Sequence, residues 1–141
     1  MRYAAVIIAV MVLCSFSGIC TAQSSEQKEK DAQETALRWL KLVDEGKYGE
    51  SWETAAQLFK SAVPGEQWKM SLNSARKPLG RTLARKLVSS QYSTELPGAP
   101  DGEYVVLRYE TSFENKKSAV ETVTPMKDKD GKWRVSGYYI K

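Results

Sequence analysis

From residue 32 onward the apolar positions fall into two regimes, and the boundary between them sits at Gly80. Upstream of it the spacing is helical. Ala32, Ala36, Leu40 and Val43, with Leu37 adjoining, form one stripe at three-to-four spacing, which predicts a helix over residues 26–44 closed by a left-handed cap at Gly46. A second stripe of Trp52, Ala55, Ala56, Phe59 and Val63 predicts a helix over residues 48–62, stopped by Pro64-Gly65. A third, shorter helix over residues 66–76 carries Trp68, Leu72 and Ala75 on one side, and Lys77-Pro78-Leu79-Gly80 breaks it.

Downstream the period falls to two. Residues 81–96 hold Leu83, Leu87, Val88 and Tyr92 among small polar residues and read as one long, bulged strand. A dense turn signal follows at Pro97-Gly98-Ala99-Pro100-Asp101-Gly102. Val105, Leu107, Tyr109, Thr111 and Phe113 then alternate with Val106, Arg108, Glu110 and Ser112, the pattern of a half-buried strand. Glu114-Asn115-Lys116-Lys117 reads as a hairpin loop, and residues 118–127 return as a strand in which Pro125 marks an edge or a bulge. After a turn at 128–131, the last strand over 132–140 is expected to point Trp133, Val135 and Tyr139 inward. Helices gathered first and strands after them predict an α+β fold: three N-terminal helices packed on a curved four-stranded antiparallel sheet.

The segment before this domain has a different character. Residues 1–22 combine a positive Arg2, an unbroken apolar run from Ala4 to Leu13 and a small-x-small ending at Cys20-Thr21-Ala22, the pattern of a signal peptide cleaved after Ala22. The apolar run falls short of the roughly 20 residues a spanning helix needs. Ser17-Gly18-Ile19 before Cys20 reverses the order of aliphatic and small residues that a lipid-modified cysteine would want. The expected product is a periplasmic or secreted single domain over residues 23–141, with no stable membrane insertion once the leader is gone.

Composition then removes whole classes of chemistry. The 141 residues contain no histidine, and both cysteines, Cys14 and Cys20, lie in the leader. The exported portion therefore lacks imidazole and thiol groups, which excludes serine and cysteine triads, thiol redox chemistry and the usual zinc ligands. The net charge of +4 drops by one with Arg2, and there is no stacked basic-aromatic motif, so nucleic acid is not an expected partner. No phosphate-binding glycine loop and no calcium-loop spacing occurs, and no cofactor or metal is expected.

Several short motifs carry a resemblance. Trp39-Leu40-Lys41-Leu42-Val43-Asp44 with Gly46 and Tyr48, and the closing Asp130-Gly131-Lys132-Trp133-Arg134-Val135-Ser136-Gly137-Tyr138-Tyr139, resemble the opening and last strand of nuclear-transport-factor-2-like domains. The set Ser51-Trp52, Gln67-Trp68, Arg76, Leu79-Gly80, Arg81 and Gly137-Tyr138-Tyr139 resembles, more narrowly, a secreted bacterial domain-of-unknown-function family, number 4019. That resemblance implies a cystatin-like or nuclear-transport-factor-2-like cone, a bent sheet and helices enclosing a pocket, and no single activity.

Within such a cone the candidate binding residues are Trp52, Trp68, Tyr109 and Tyr139 as an aromatic lining, with Arg76 and Arg81 bracketing the Pro78–Gly80 turn where they could hold an anion. Core packing is the plainer role for the tryptophans, and a solvated helix end for the arginines. Trp39, beside the main stripe of its helix, could cover an interface. No catalytic residue is assigned. An acid–base enzyme would have to use Asp44, Glu110 or Glu121 with Tyr109, Tyr138 or Tyr139. The expected role of Arg108, Glu110 and Glu121 is instead a cross-strand ion-pair ladder on the outer sheet face, and Asp44 is expected to be solvated. The leading expectation is a non-enzymatic domain binding a small molecule or a periplasmic protein. The alternatives are a lyase or isomerase of the same cone and a homodimer formed through the outer face around Arg108 and Tyr138.

Overall fold

The computed structural model describes residues 19–141, with side chains from Ser24 onward; residues 1–18 of the expected leader lie outside the described residues. Helices α1 (Ile19–Asp44), α2 (Tyr48–Glu53), α3 (Gln57–Ala62) and α4 (Gly65–Ala75) precede a short 3-10 turn at Lys77–Leu79. Strands β1 (Thr82–Ser93), β2 (Tyr104–Phe113), β3 (Lys116–Lys127) and β4 (Trp133–Ile140) follow as an antiparallel meander in the order β1-β2-β3-β4. The α+β class and the four strands match the pattern along the chain. Among the described residues no helix is long and apolar enough to cross a membrane.

Helix α1 lies across all four strands. Its buried stripe is Ala32, Ala36, Trp39, Leu40 and Val43, against Val105, Leu107 and Tyr109 of β2, Val123 of β3 and Val135 of β4. Trp39 is thus core, contrary to the interface role its position suggested: α1 packs on the sheet on one side and on α2 on the other, so its apolar face is wider than a single stripe. The helix ends as the sequence requires. Gly46 has φ +75°, its N–H donates to the Val43 carbonyl at 3.1 Å, and the Lys47 N–H donates to Leu42 at 2.9 Å, the two bonds of a Schellman cap.

The single helix expected over residues 48–62 is two, giving four helices instead of three. Ala55 and Ala56 are fully buried, and the Ala56 N–H donates to the Val135 carbonyl of β4 at 2.8 Å, so it is spent on the sheet and not on a helical turn. Alanine is the best helix former, but its small side chain also lets the backbone reach the strand, and here the tertiary bond wins.

Ser51 organises the indoles. It is fully buried; its carbonyl accepts the Trp39 indole N–H at 2.7 Å, and its hydroxyl accepts that of Trp68 at 3.0 Å while donating to the Tyr48 carbonyl. Trp39, Phe59, Trp68 and Tyr138 form one aromatic cluster with centroid separations from 4.9 to 6.5 Å, mostly edge to face. Trp39 and Trp68 are core, Trp68 as its stripe implied, and Trp52 and Trp133 pack partly buried against them.

Three strand irregularities decide which side chains face the helices. In β1 the register shifts between Thr82 and Ala84 and between Leu87 and Ser89, so Leu83 and Val88 are extra residues and stand exposed, while Leu87 and Tyr92 pack on the core. In β4 the register passes from Gly137 opposite Thr124 to Val135 opposite Pro125, leaving Ser136 as a bulge with its hydroxyl on the Thr124 carbonyl at 2.7 Å. One extra residue inverts the alternation beyond it. Val135 and Tyr138 therefore share the inner face, and Tyr139, expected inward, is half exposed. Pro125 sits at this bulge in a strand paired on both sides, not at an edge. The hairpin before β3 is also tighter than expected, since Lys116 and Lys117 already belong to the strand.

Candidate functional site

The C-terminal cap of α1 and the inner faces of β1, β2, β3 and β4 bring together a polar cluster under the helices. Its charged members are Asp44, Arg76, Arg85 and Glu121, two of each sign. The Arg85 guanidinium bridges both acids: Nη1 and Nη2 donate to Asp44 at 2.8 and 2.9 Å, and Nε and Nη2 donate to Glu121 at 2.7 and 3.2 Å. Asp44 also accepts from Thr82 Oγ1 at 2.9 Å and from Arg76 Nη2 at 3.2 Å. Arg76 continues to the Gly80 carbonyl at 2.7 Å and stacks 4.5 Å over the Phe113 ring.

Glu121 is the centre of this arrangement and is fully buried. It is opposite Tyr109 in the β2–β3 register and shares that inner face, whereas Glu110 and Arg108 point outward to solvent. The expected ladder of Arg108, Glu110 and Glu121 is therefore not formed. Counting in twos from Ala119 and Val123, both buried, places Glu121 on their face; that periodicity was the available signal. Asp44 is likewise bound into the cluster and not solvated.

Each Glu121 oxygen receives two hydrogen bonds: Oε1 from Arg85 Nε and from Thr111 Oγ1 at 2.6 Å, Oε2 from Arg85 Nη2 and from the Tyr138 hydroxyl. Four donors fill the acceptor capacity of a carboxylate, so no lone pair remains to take a proton from a substrate. The surrounding groups respond as the geometry dictates. Burial alone would raise the Asp44 carboxyl, but the Arg85 bonds and charge, with Thr82 and Arg76, hold it below the usual range. Burial alone would lower Arg85, yet its bonds to Asp44 and Glu121 push it up. The Tyr138 phenol is driven far up by burial, then by the Glu121 charge and the bond it donates there. The Tyr109 phenol is pushed up to about 12 by burial, which the Glu121 charge reinforces and Arg85 opposes. Tyr109 is buried and its hydroxyl has no hydrogen-bond partner among the described residues.

Two openings meet at Arg76. A polar cleft of about 570 Å³ is lined by Asp44, Tyr48, Lys69, Asn73, Lys77, Arg81 and Glu114 together with Arg76. A smaller pocket of about 300 Å³ opens between α4 and β4, lined by Trp68, Leu72, Leu79, Lys116, Tyr138, Tyr139 and again Arg76. The expected site residues divide between them. Trp68, Arg76 and Tyr139 meet in the smaller pocket; Arg76 and Arg81 do share the polar cleft, although Arg81 is exposed and paired with Glu114. Arg76 is only 3% exposed, not the solvated helix end that its sequence position suggested. Trp52 stands apart, its indole N–H on the Val63 carbonyl at 2.7 Å and its ring against Gly65. Tyr109 lies in the core, outside both openings. The outer-face residue proposed with Arg108, Tyr138, points inward. Asp44, Arg85, Glu121 and Tyr138 are the residues whose association no local pattern announced, because they come from four separate elements.

A solved 2.5 Å structure of a protein from Catenulispora acidiphila superimposes with a TM-score of 0.50 at 14% identity, covering 86% of this chain and 94% of that one; at this identity the likeness is one of fold. No curated protein matches the chain. A family model described as "Protein of unknown function (DUF4019)" matches residues 35–138, a span that runs from the middle of α1 to the buried Tyr138 of β4 and so includes Ser51 with its indole partners, Arg76, Arg85 and Glu121. The chain belongs to this DUF4019 family.

Proposed function

We propose that the protein is a small exported binding domain without catalytic activity of its own, released after Ala22 into the periplasm or medium, with a cone of the nuclear-transport-factor-2 type holding its ligand or partner. The leader pattern over residues 1–22 supports export. The carrying observation is the pairing of a pocket with a spent polar cluster. Trp68, Leu72 and Tyr138 offer apolar and aromatic walls beside Arg76, while the buried acid behind them, Glu121, has every acceptor position filled. Such a site recognises a molecule and lacks a free base to transform it.

Native mass spectrometry of the protein purified from its own periplasm tests this reading. A copurified small molecule or partner chain supports it. Turnover of a small substrate that disappears on Glu121→Gln overturns it in favour of a lyase or isomerase, the reading favoured by the single contact between Glu121 and the Tyr138 hydroxyl. The homodimer reading has its own support in Val120 and Tyr139, exposed on the far sheet face near Arg108. Sedimentation showing monomer at high concentration removes it.

A further inference from the structure

The pocket between α4 and β4 has a chemistry more specific than "apolar". Its walls are Trp68 and Leu72 from α4 and Tyr138 and Tyr139 from β4, and its charged members are Arg76 and Lys116. Both are cations; no carboxylate lines it. Arg76 is nine-tenths buried and more, and its Nε has no hydrogen-bond partner among the described residues although the rest of its guanidinium is engaged by Asp44, Thr82 and Gly80. A buried N–H donor without a partner is costly.

The size of the opening limits what it can take. At about 30 Å³ for each small non-hydrogen group, a volume of about 300 Å³ holds roughly ten. We infer that this pocket binds a small amphipathic monoanion, an apolar body of about eight carbons carrying one carboxylate, with the body along Trp68, Leu72 and Leu79 and the anionic head toward Lys116 and Arg76. The Asp44–Arg85–Glu121 cluster fixes Arg76 in the pocket wall. Its two acids balance the charges of Arg76 and Arg85, so the attraction for an anion comes from Lys116 at the mouth.

The inference rests on the binding reading above and fails separately from it. The test uses the full chain expressed with its leader and purified as the cell delivers it, titrated at pH 7 with octanoate and, in parallel, with 1-octanol, following tryptophan fluorescence. Octanoate is expected to saturate one site and to bind at least tenfold more tightly than octanol. Ala75→Phe, on the exposed end of α4 at the pocket edge, is expected to abolish octanoate binding. Lys116→Glu is expected to weaken it roughly five- to tenfold, while Lys86→Glu, the same change of charge outside the pocket, leaves it unaltered. Equal affinity for octanol and octanoate overturns the anion selectivity. So does the absence of saturable octanoate binding, or binding that Ala75→Phe leaves intact. Copurified masses in the native spectrum judge the binding reading independently of these outcomes.

Discussion

Tyr109 and Tyr138 offer a controlled comparison inside one protein. Both rings sit on the inner face of the sheet and pack on the same core, and both phenols are shifted upward by burial before any other cause. Their hydroxyls differ in partner: Tyr138 donates to Glu121, and Tyr109 has no acceptor among the described residues. Replacing Tyr138 by Phe keeps its edge-on contact with Trp39 at 5.3 Å and its neighbour Trp68 at 6.5 Å, and deletes only the hydroxyl. A hydrogen bond to a charged group contributes about 1.5–3 kcal/mol, and its loss leaves one Glu121 oxygen with a single donor in a site without water access. Tyr138→Phe should therefore cost about 2 kcal/mol. Tyr109→Phe removes a hydroxyl whose desolvation nothing offsets, so it should be neutral or stabilising by up to about 1 kcal/mol. Equilibrium urea unfolding followed by circular dichroism reads both. With a slope of about 2 kcal/mol per molar urea, the Tyr138→Phe midpoint should fall by about 1 M, and that of Tyr109→Phe should stay or rise. Equal losses in the two variants, or a neutral Tyr138→Phe, would refute the assignment of hydrogen bonds around Glu121.

Glu121→Gln should cost about 3–5 kcal/mol, because an amide cannot satisfy Arg85, Thr111 and Tyr138 together and Arg85 keeps only Asp44; the same urea titration measures it, and a loss under about 1 kcal/mol would contradict the cluster. Gly80→Ala should destabilise by at least about 1 kcal/mol, since Gly80 has φ +76° and an added Cβ would lie 2.9 Å from Glu114 Oε2 and 3.0 Å from its Cβ; a midpoint at the wild-type value would argue against that turn. Asp44 is held below the usual carboxylate range in the folded state, so its contribution is complete above its unfolded value near 3.8 and is lost as pH falls through the folded value. Unfolding midpoints should thus decline on acidification below about pH 4, and Asp44→Asn should flatten that decline; an unchanged slope in Asp44→Asn would remove the assignment.

The chain's own patterning determined the class and most of the elements. The stripe from Ala32 to Val43, the Gly46 cap, Pro64 and Pro78 as helix limits, and the alternation from Val105 to Phe113 are local signals, because helix and strand periodicities are written in the spacing of apolar side chains. Trp68, Arg76 and Tyr139, singled out from their types and places, line one pocket, although Tyr139 does not point inward as expected. Two further results required the tertiary structure. The break at Ala55-Ala56 depends on a backbone bond to β4 some eighty residues away in the chain, which no helix propensity encodes. The extra residue at Ser136 exchanges Tyr138 for Tyr139 on the inner face, and a bulge is fixed by cross-strand register, not by the strand's own composition. The same register brings Glu121 under Asp44, Arg85 and Tyr138. Asp44, Arg76, Arg85 and Glu121 can balance one another's charge only after α1 has been laid across the sheet, so the balance that leaves Arg76 poised between two openings belongs to the fold and not to any segment of it.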